Sequence, residues 1–217
     1  MNREQTLLNY YKTLSKRIGP CHWWPGETPF EIAVGAILVQ NTNWANVEKA
    51  INNLRNNDAL SLQGLRKLSI EELQELIRPS GFFRMKAVRL INFLDFLDQN
   101  SAECITALEK IDTFELREKL LNVSGIGPET ADSILLYALN KPIFVVDAYT
   151  KRIFNRHMLV HEDIDYHELQ DFFMDVLEHD VKLFNEYHAL IVMTAKNWCK
   201  KSKPDCKNCP LNKFLEN

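Results

Sequence analysis

Apolar residues recur at three- and four-residue spacing along nearly the whole chain, the period of amphipathic helices. In the first segment Leu7, Leu8, Tyr11, Leu14 and Ile18 keep that spacing, and Gly19 with Pro20 ends it. Thr28, Pro29 and Glu31 supply a capping residue, a proline at the first helical position and a carboxylate three residues after the cap. The segment they open, running through Val39, is apolar nearly all round, which predicts a buried helix. Ser69 with Glu72 and Asp165 with Glu168 repeat the cap signature. Arg78 to Gly81 is a break before a long amphipathic helix from about Phe83 to Leu97. Only Lys141 to Val146 has strand character, and nothing else in the sequence offers it a partner. Repeats, low-complexity tracts and long linkers are absent from the sequence. The predicted fold class is all-α.

Composition narrows the setting. A chain of 217 residues suffices for one large domain or two small ones sharing a cleft. Its 46% hydrophobic and 25% charged content is that of a soluble folded protein. No apolar run approaches the roughly 20 residues that span a bilayer. The first 17 residues alternate apolar and polar side chains, unlike a signal peptide or anchor, so the expected location is cytoplasmic.

A net charge of −3 does not mark a nucleic-acid binder, but the distribution does more than the sum. Lys196, Lys200, Lys201, Lys203, Lys207 and Lys213 face one acid, Asp205, whereas His161 to Asp180 is strongly acidic. That asymmetry permits a positive face for phosphates, and it equally describes two ordinary solvated surfaces. An odd count of five cysteines argues against a disulfide framework. Cys199, Cys206 and Cys209 fall within eleven residues and point to metal.

The segment from Leu121 to Ala131 is the first with chemistry in it. A helix ending near Asn122 meets Gly125, Ile126 and Gly127, and a new helix opens on Pro128. Two glycines flanking one apolar residue permit a tight turn and close approach of another backbone. The exposed N–H groups ahead of a helix then suit a DNA phosphate; a plain helical hairpin turn is the other reading. About twenty residues on, Asp147 stands where an apolar run becomes a helix, the position of an N-cap.

Taken together, Leu121–Ala131 and Val146, Asp147 with Arg152 resemble the helix-hairpin-helix DNA glycosylases of the endonuclease III superfamily. Gly35–Thr42 and Pro79–Ala87 match in the same order, so the resemblance covers residues 28 to 213. It implies a two-domain helical fold with an active-site cleft between the domains. One domain is a helical barrel over residues 25 to 133, ending in the hairpin. The other joins residues 1 to 24 with 134 to 217.

Carried over residue by residue, Asp147 becomes the catalytic carboxylate, and Gln40 the side chain that fills the gap left by a flipped nucleotide. Gly125, Ile126, Gly127, Thr130 and Lys151 are the further DNA-binding candidates. The carbonyls of Leu121, Val123 and Ile126 match positions where relatives hold a monovalent cation. Trp23, Trp24 and Trp44 resemble the aromatic cluster that sandwiches the extruded base in the 3-methyladenine glycosylase branch; core packing is their bland alternative.

Two positions depart from the family pattern. Relatives that also nick the strand carry a lysine two residues after the second hairpin glycine, and this chain has Glu129 there. A carboxylate cannot form an imine, which implies a monofunctional glycosylase. Cys199, Cys206 and Cys209 reproduce three ligands of the family's 4Fe-4S loop, but the fourth position is Leu215. A cluster with another fourth ligand, a zinc site completed by histidine and a metal-free loop all remain open. The expected partner is double-stranded DNA with damaged bases and no membrane. The protein is expected to act as a monomer in the cytoplasm of a bacterial or archaeal cell, near the nucleoid. Alternatives are a bifunctional enzyme for oxidised pyrimidines using a lysine such as Lys151, and a non-catalytic DNA-binding protein.

Overall fold

The computed structural model describes residues 2–100 and 104–215, and every regular element among them is a helix. In chain order the helices are α1 (Arg3–Ile18), α2 (Pro29–Leu38), α3 (Trp44–Asn56), α4 (Leu62–Arg66), α5 (Ile70–Ile77) and α6 (Phe83–Gln99). They continue with α7 (Thr113–Leu121), α8 (Pro128–Ser133), α9 (Ala148–Arg156), α10 (Tyr166–Met174) and α11 (Val181–Asn197). None is long and apolar enough to cross a membrane. The chain forms two compact units, a central one of residues 25–141 and a split one of residues 1–24 with 142–217.

In the central unit α2 is the buried element that its sequence predicts, with Ala33, Val34, Ile37 and Leu38 fully enclosed. Thr28 caps it by accepting the Glu31 N–H at 3.1 Å. The Glu31 carboxylate does not close the capping box. Its two oxygens share Nη2 of Arg55 on α3 instead, at 3.0 Å each. Where α2 ends, the fully buried Lys86 of α6 donates to the carbonyls of Leu38 at 2.8 Å and Ser80 at 2.7 Å. Burial, with the Arg89 charge nearby, pushes this ammonium down to about 8.

The helices α7 and α8 are clamped by a buried bidentate ion pair, Arg117 Nε to Asp132 Oδ1 at 2.7 Å and Nη2 to Oδ2 at 3.1 Å. After α8 the chain widens into one π turn, Ile134–Ala138, which packs on α2. Lys141 then donates to the carbonyls of Glu109 and Ile111. These contacts tie the end of the central compact unit, which runs to Lys141.

Residues 141 to 147 are extended, but they pair with no strand among the described residues. Side chains satisfy this buried backbone instead: Gln170 donates to the Phe144 carbonyl at 2.7 Å, and the Phe144 N–H meets Met174 Sδ at 3.3 Å. Around this link Phe144 stacks on Phe173 with centroids 4.1 Å apart, and Tyr187 of α11 closes the cluster edge-on. Tyr187 also donates its hydroxyl to the Leu7 carbonyl of α1, and α11 packs against both α1 and α9.

Lys86 gives a pH signature. Its folded form releases a proton near pH 8 and its unfolded form near 10.5, so its burial penalty is complete below pH 8 and is relieved as pH rises through that window. Lys86→Met leaves two buried carbonyls unpaired and should cost about 1–3 kcal/mol at pH 7. Urea unfolding should show the gap to the parent protein widening by about 1–2 kcal/mol between pH 8 and 10.

Candidate functional site

The hairpin turn in the central unit is built by Gly125, whose φ of 93° lies in the left-handed region that favours glycine. A Cβ there would lie 2.3 Å from Cγ of Arg89, which packs across the turn. The Ile126 N–H closes the turn onto the Val123 carbonyl at 3.0 Å, so one of the three candidate cation-binding carbonyls already accepts a hydrogen bond. Ile126 itself is buried, leaving its backbone as the part available to a ligand. Gly127 precedes α8 with no side-chain cap, and a Cβ added to it would meet nothing within 4 Å.

Gln40 comes to this turn from 85 residues away. Its Nε2 donates to the Gly125 carbonyl at 3.2 Å and to the Thr130 hydroxyl at 2.8 Å, and its Oε1 accepts from Arg89. Thr130, a DNA-contact candidate in the sequence, is buried and here serves to hold Gln40. The structure thus gathers Gln40, Gly125 and Thr130 into one arrangement.

Asp147 lies in the split unit as the N-cap of α9. Its Oδ1 accepts the Thr150 N–H at 2.7 Å and the Thr150 hydroxyl at 2.9 Å. Its Oδ2 stands 3.5 Å from Nε2 of His188 on α11, and both side chains are nearly enclosed. Burial alone would raise this carboxyl. The His188 imidazole beside it, with the Thr150 donors, outweighs burial and holds it below the ordinary carboxylate range. A carboxylate kept ionised inside the protein can stabilise a positive charge or accept a proton from water. Lys151, one turn further along α9, gives its ammonium to the Ile164 carbonyl at 2.7 Å.

Trp23 and Trp24 lie in the same unit as Asp147, half-buried, with ring centroids 5.8 Å apart and nearly perpendicular. Lys196 Nζ sits 5.7 Å over Trp23. The Trp23 indole N–H is buried without a hydrogen-bond partner among the described residues, a donor that a ligand acceptor could satisfy. Trp44 belongs to the central unit, half-buried at the first position of α3.

Cys199, Cys206 and Cys209 line one cavity of the split unit together with Arg156, His157 and Leu215. Arg156 donates to Cys199 Sγ at 3.2 Å, while burial pushes the Cys209 thiol up and the two neighbouring thiols add to that. Among the described residues no group of three or more His, Cys, Asp and Glu converges as a single metal ion requires. Three thiols with Leu215 in the fourth place leave four-thiolate ligation one donor short.

Arg89 and His188 are the site residues that sequence reasoning missed. Arg152, the arginine of the family pattern, donates to the Cys199 carbonyl at 2.8 Å, and Arg156 donates to the carbonyls of Lys200 and Lys201. The spacing of Arg152 and Arg156, one turn apart on α9, was the available signal for this clamp.

Residues 34–179 match the family model of the HhH-GPD superfamily of base excision DNA repair proteins. A protein of Methanocaldococcus jannaschii, provisionally assigned as a DNA repair glycosylase, is 46% identical over 98% of this chain and 97% of its own length. The H. pylori 3-methyladenine DNA glycosylase, solved bound to 1,N6-ethenoadenine, superposes with a TM-score of 0.75 at 32% identity, covering 90% of this chain and 98% of that one. An endonuclease III–DNA complex shares the fold with a TM-score of 0.84 at 22% identity, covering 100% of this chain and 96% of that one.

The two hairpin glycines should separate on substitution. Gly125→Ala meets both a positive φ and the Arg89 side chain, and should cost about 1–3 kcal/mol in urea unfolding. Gly127→Ala, with open space around it, should stay within about 0.5 kcal/mol of the parent protein.

Proposed function

The chain belongs to the HhH-GPD superfamily of base excision DNA repair proteins, and on that premise we propose that it is a monofunctional DNA glycosylase that releases an alkylated purine, 3-methyladenine foremost. The observation that carries this reading is Asp147, a nearly enclosed carboxylate held ionised at a helix N-terminus.

Such an enzyme extrudes the damaged nucleotide from duplex DNA, at a cost of a few kcal/mol. The hairpin, presenting the backbone of Gly125 to Gly127, holds a phosphate, and Gln40 occupies the space the nucleotide leaves. Cleavage of the N-glycosidic bond develops oxocarbenium character on the sugar. Asp147 stabilises that charge and orients or deprotonates the attacking water. Glu129, exposed in the first turn of α8, offers no amine for a Schiff base, which supports hydrolysis without strand cleavage. Lys151 is already engaged by Ile164, which weakens the alternative in which it serves as the lyase amine.

Alkylation at N3 or N7 leaves a purine cationic, with a weakened glycosidic bond, so the base departs without a strong general acid. A site with one clear carboxylate suits that leaving group. Trp23, Trp24 and Trp44 suit it too, since a cationic base gains about 0.5–2 kcal/mol from each aromatic face. Solvation of the base by the Trp23 N–H is a further support. Cys199, Cys206 and Cys209 would hold a 4Fe-4S cluster that ties down their loop; no step of base release passes through it.

Duplexes carrying different lesions, scored for abasic sites with and without alkali, test this reading. Release of methylated adenine is expected, without strand nicking and without a borohydride-trapped adduct. Excision of thymine glycol or a mismatched base in its place would reject the alkylation assignment, and a trapped adduct would establish the bifunctional one. Asp147→Asn should abolish release while changing DNA affinity by less than about tenfold, because the amide keeps the shape and loses the charge. Protein purified without oxygen should carry iron and absorb near about 400 nm, as iron–thiolate clusters do; stoichiometric zinc, or no metal, would reject the cluster.

A further inference from the structure

Capping α9 needs one oxygen of Asp147, and Thr150 occupies that oxygen with two donors. The other aspartate caps, Asp112, Asp165 and Asp180, are exposed, as a carboxylate spared the cost of desolvation would be. Among the described aspartate caps, Asp147 alone is nearly enclosed and faced by an imidazole from another helix, His188 Nε2 at 3.5 Å from Oδ2. Capping explains neither the burial nor the second anchor. Held through Oδ1 only, the carboxylate plane can turn about its last bond. Fixing Oδ2 from α11 sets the plane, and α11 is itself fixed on α1 and α9.

We propose that His188 is the positioning residue for Asp147, donating Nε2–H to Oδ2 so that the carboxylate is aimed at the sugar rather than merely capping α9. This rests on the reading of Asp147 as the reacting carboxylate and deepens it. Neighbouring charged side chains have other engagements: Lys151 with Ile164, Arg152 and Arg156 with the cysteine loop, and Glu186 with the Cys21 N–H. His188 Nε2 is the nitrogen that stands beside Oδ2, so the orienting contact falls to His188.

Single-turnover release of methylated bases from dimethyl sulfate-treated duplex DNA, with DNA affinity measured alongside, tests the proposal. His188→Leu should slow release by about 10- to 100-fold with affinity within about twofold, the split expected when an interaction acts on the reacting group. His188→Gln, which restores an N–H donor of similar reach, should recover release to within about fivefold of the parent protein. On an Asp147→Asn background His188→Leu should shift the Tm much less than it does in the parent protein, because the pair acts as one unit. Release by His188→Leu at the parental rate, parallel loss of rate and affinity in both His188 variants, or additive effects in the double variant would each overturn it. If the parent protein releases no methylated base, the alkylated-purine reading fails by itself. Positioning is then judged on thermal unfolding of the same four proteins: non-additive Tm shifts uphold the Asp147–His188 coupling, and additive ones overturn it.

Discussion

A lysine side chain with no exposed surface spans two chain breaks in the central unit, giving Nζ to the carbonyls of Leu38 and Ser80. Helix ends leave carbonyls without intrahelical partners, and α2 ends inside the protein where water cannot serve them. One ammonium therefore closes α2 and the turn before α6 together, at a desolvation cost that shows in its lowered proton affinity. Its position has consequences for the hairpin. Gln40 follows Leu38 by two residues, and Arg89 follows Lys86 by one turn of α6. Fixing Leu38 against α6 sets the distance over which Arg89 can reach Gln40, and Arg89 also lies against Gly125. The geometry of the hairpin face thus descends from a contact that is itself remote from any ligand.

The split unit solves a different problem with Asp147. A buried carboxylate is costly unless hydrogen-bonded, and a helix N-terminus supplies N–H donors and a favourable dipole at no further cost. The capping and chemical readings of this residue are therefore not rivals: the cap is what keeps the carboxylate charged where water is scarce. Glu129 shows the contrast. It too sits in the first turn of a helix, but exposed, where a carboxylate needs no special arrangement and gains no special reactivity.

Local features of this kind were legible in the sequence. The caps at Thr28, Ser69 and Asp165, the end of α1 at Gly19 and the hairpin helices flanking Gly125 all follow from residue types within a few positions of one another. What sequence periodicity missed are pairings across long separations. Lys86, Arg117 and Asp132 are polar residues on helices, yet all three are buried, because each finds a partner that spacing along one helix cannot reveal. The apolar run before Asp147 read as a strand for a similar reason. Ile143 to Val146 are all buried rather than alternating, and Gln170 and Met174 of α10 supply the partners that a neighbouring strand would have given. His188 gave no signal either, since a lone histidine on an apolar helix face is indistinguishable from one satisfied in a core.

The missing fourth cysteine becomes intelligible through α9. Arg152 and Arg156 lie one turn apart on that helix and together donate to the carbonyls of Cys199, Lys200 and Lys201 and to Cys199 Sγ. Charge-assisted bonds of this kind are each worth about 1.5–3 kcal/mol, and they fix the start of the cysteine loop before any iron is considered. The loop's other end is less firmly held: Leu215 is half-buried and lines the same cavity as the three thiols. A leucine there contributes apolar contact where a thiolate would contribute a bond to iron. The loop therefore divides its anchorage between arginines at one end and packing at the other, and a cluster held by three thiolates would reinforce that anchorage rather than create it. Both arginines stand on the helix that Asp147 caps, so α9 carries the cysteine-loop contacts along its length and the carboxylate at its start.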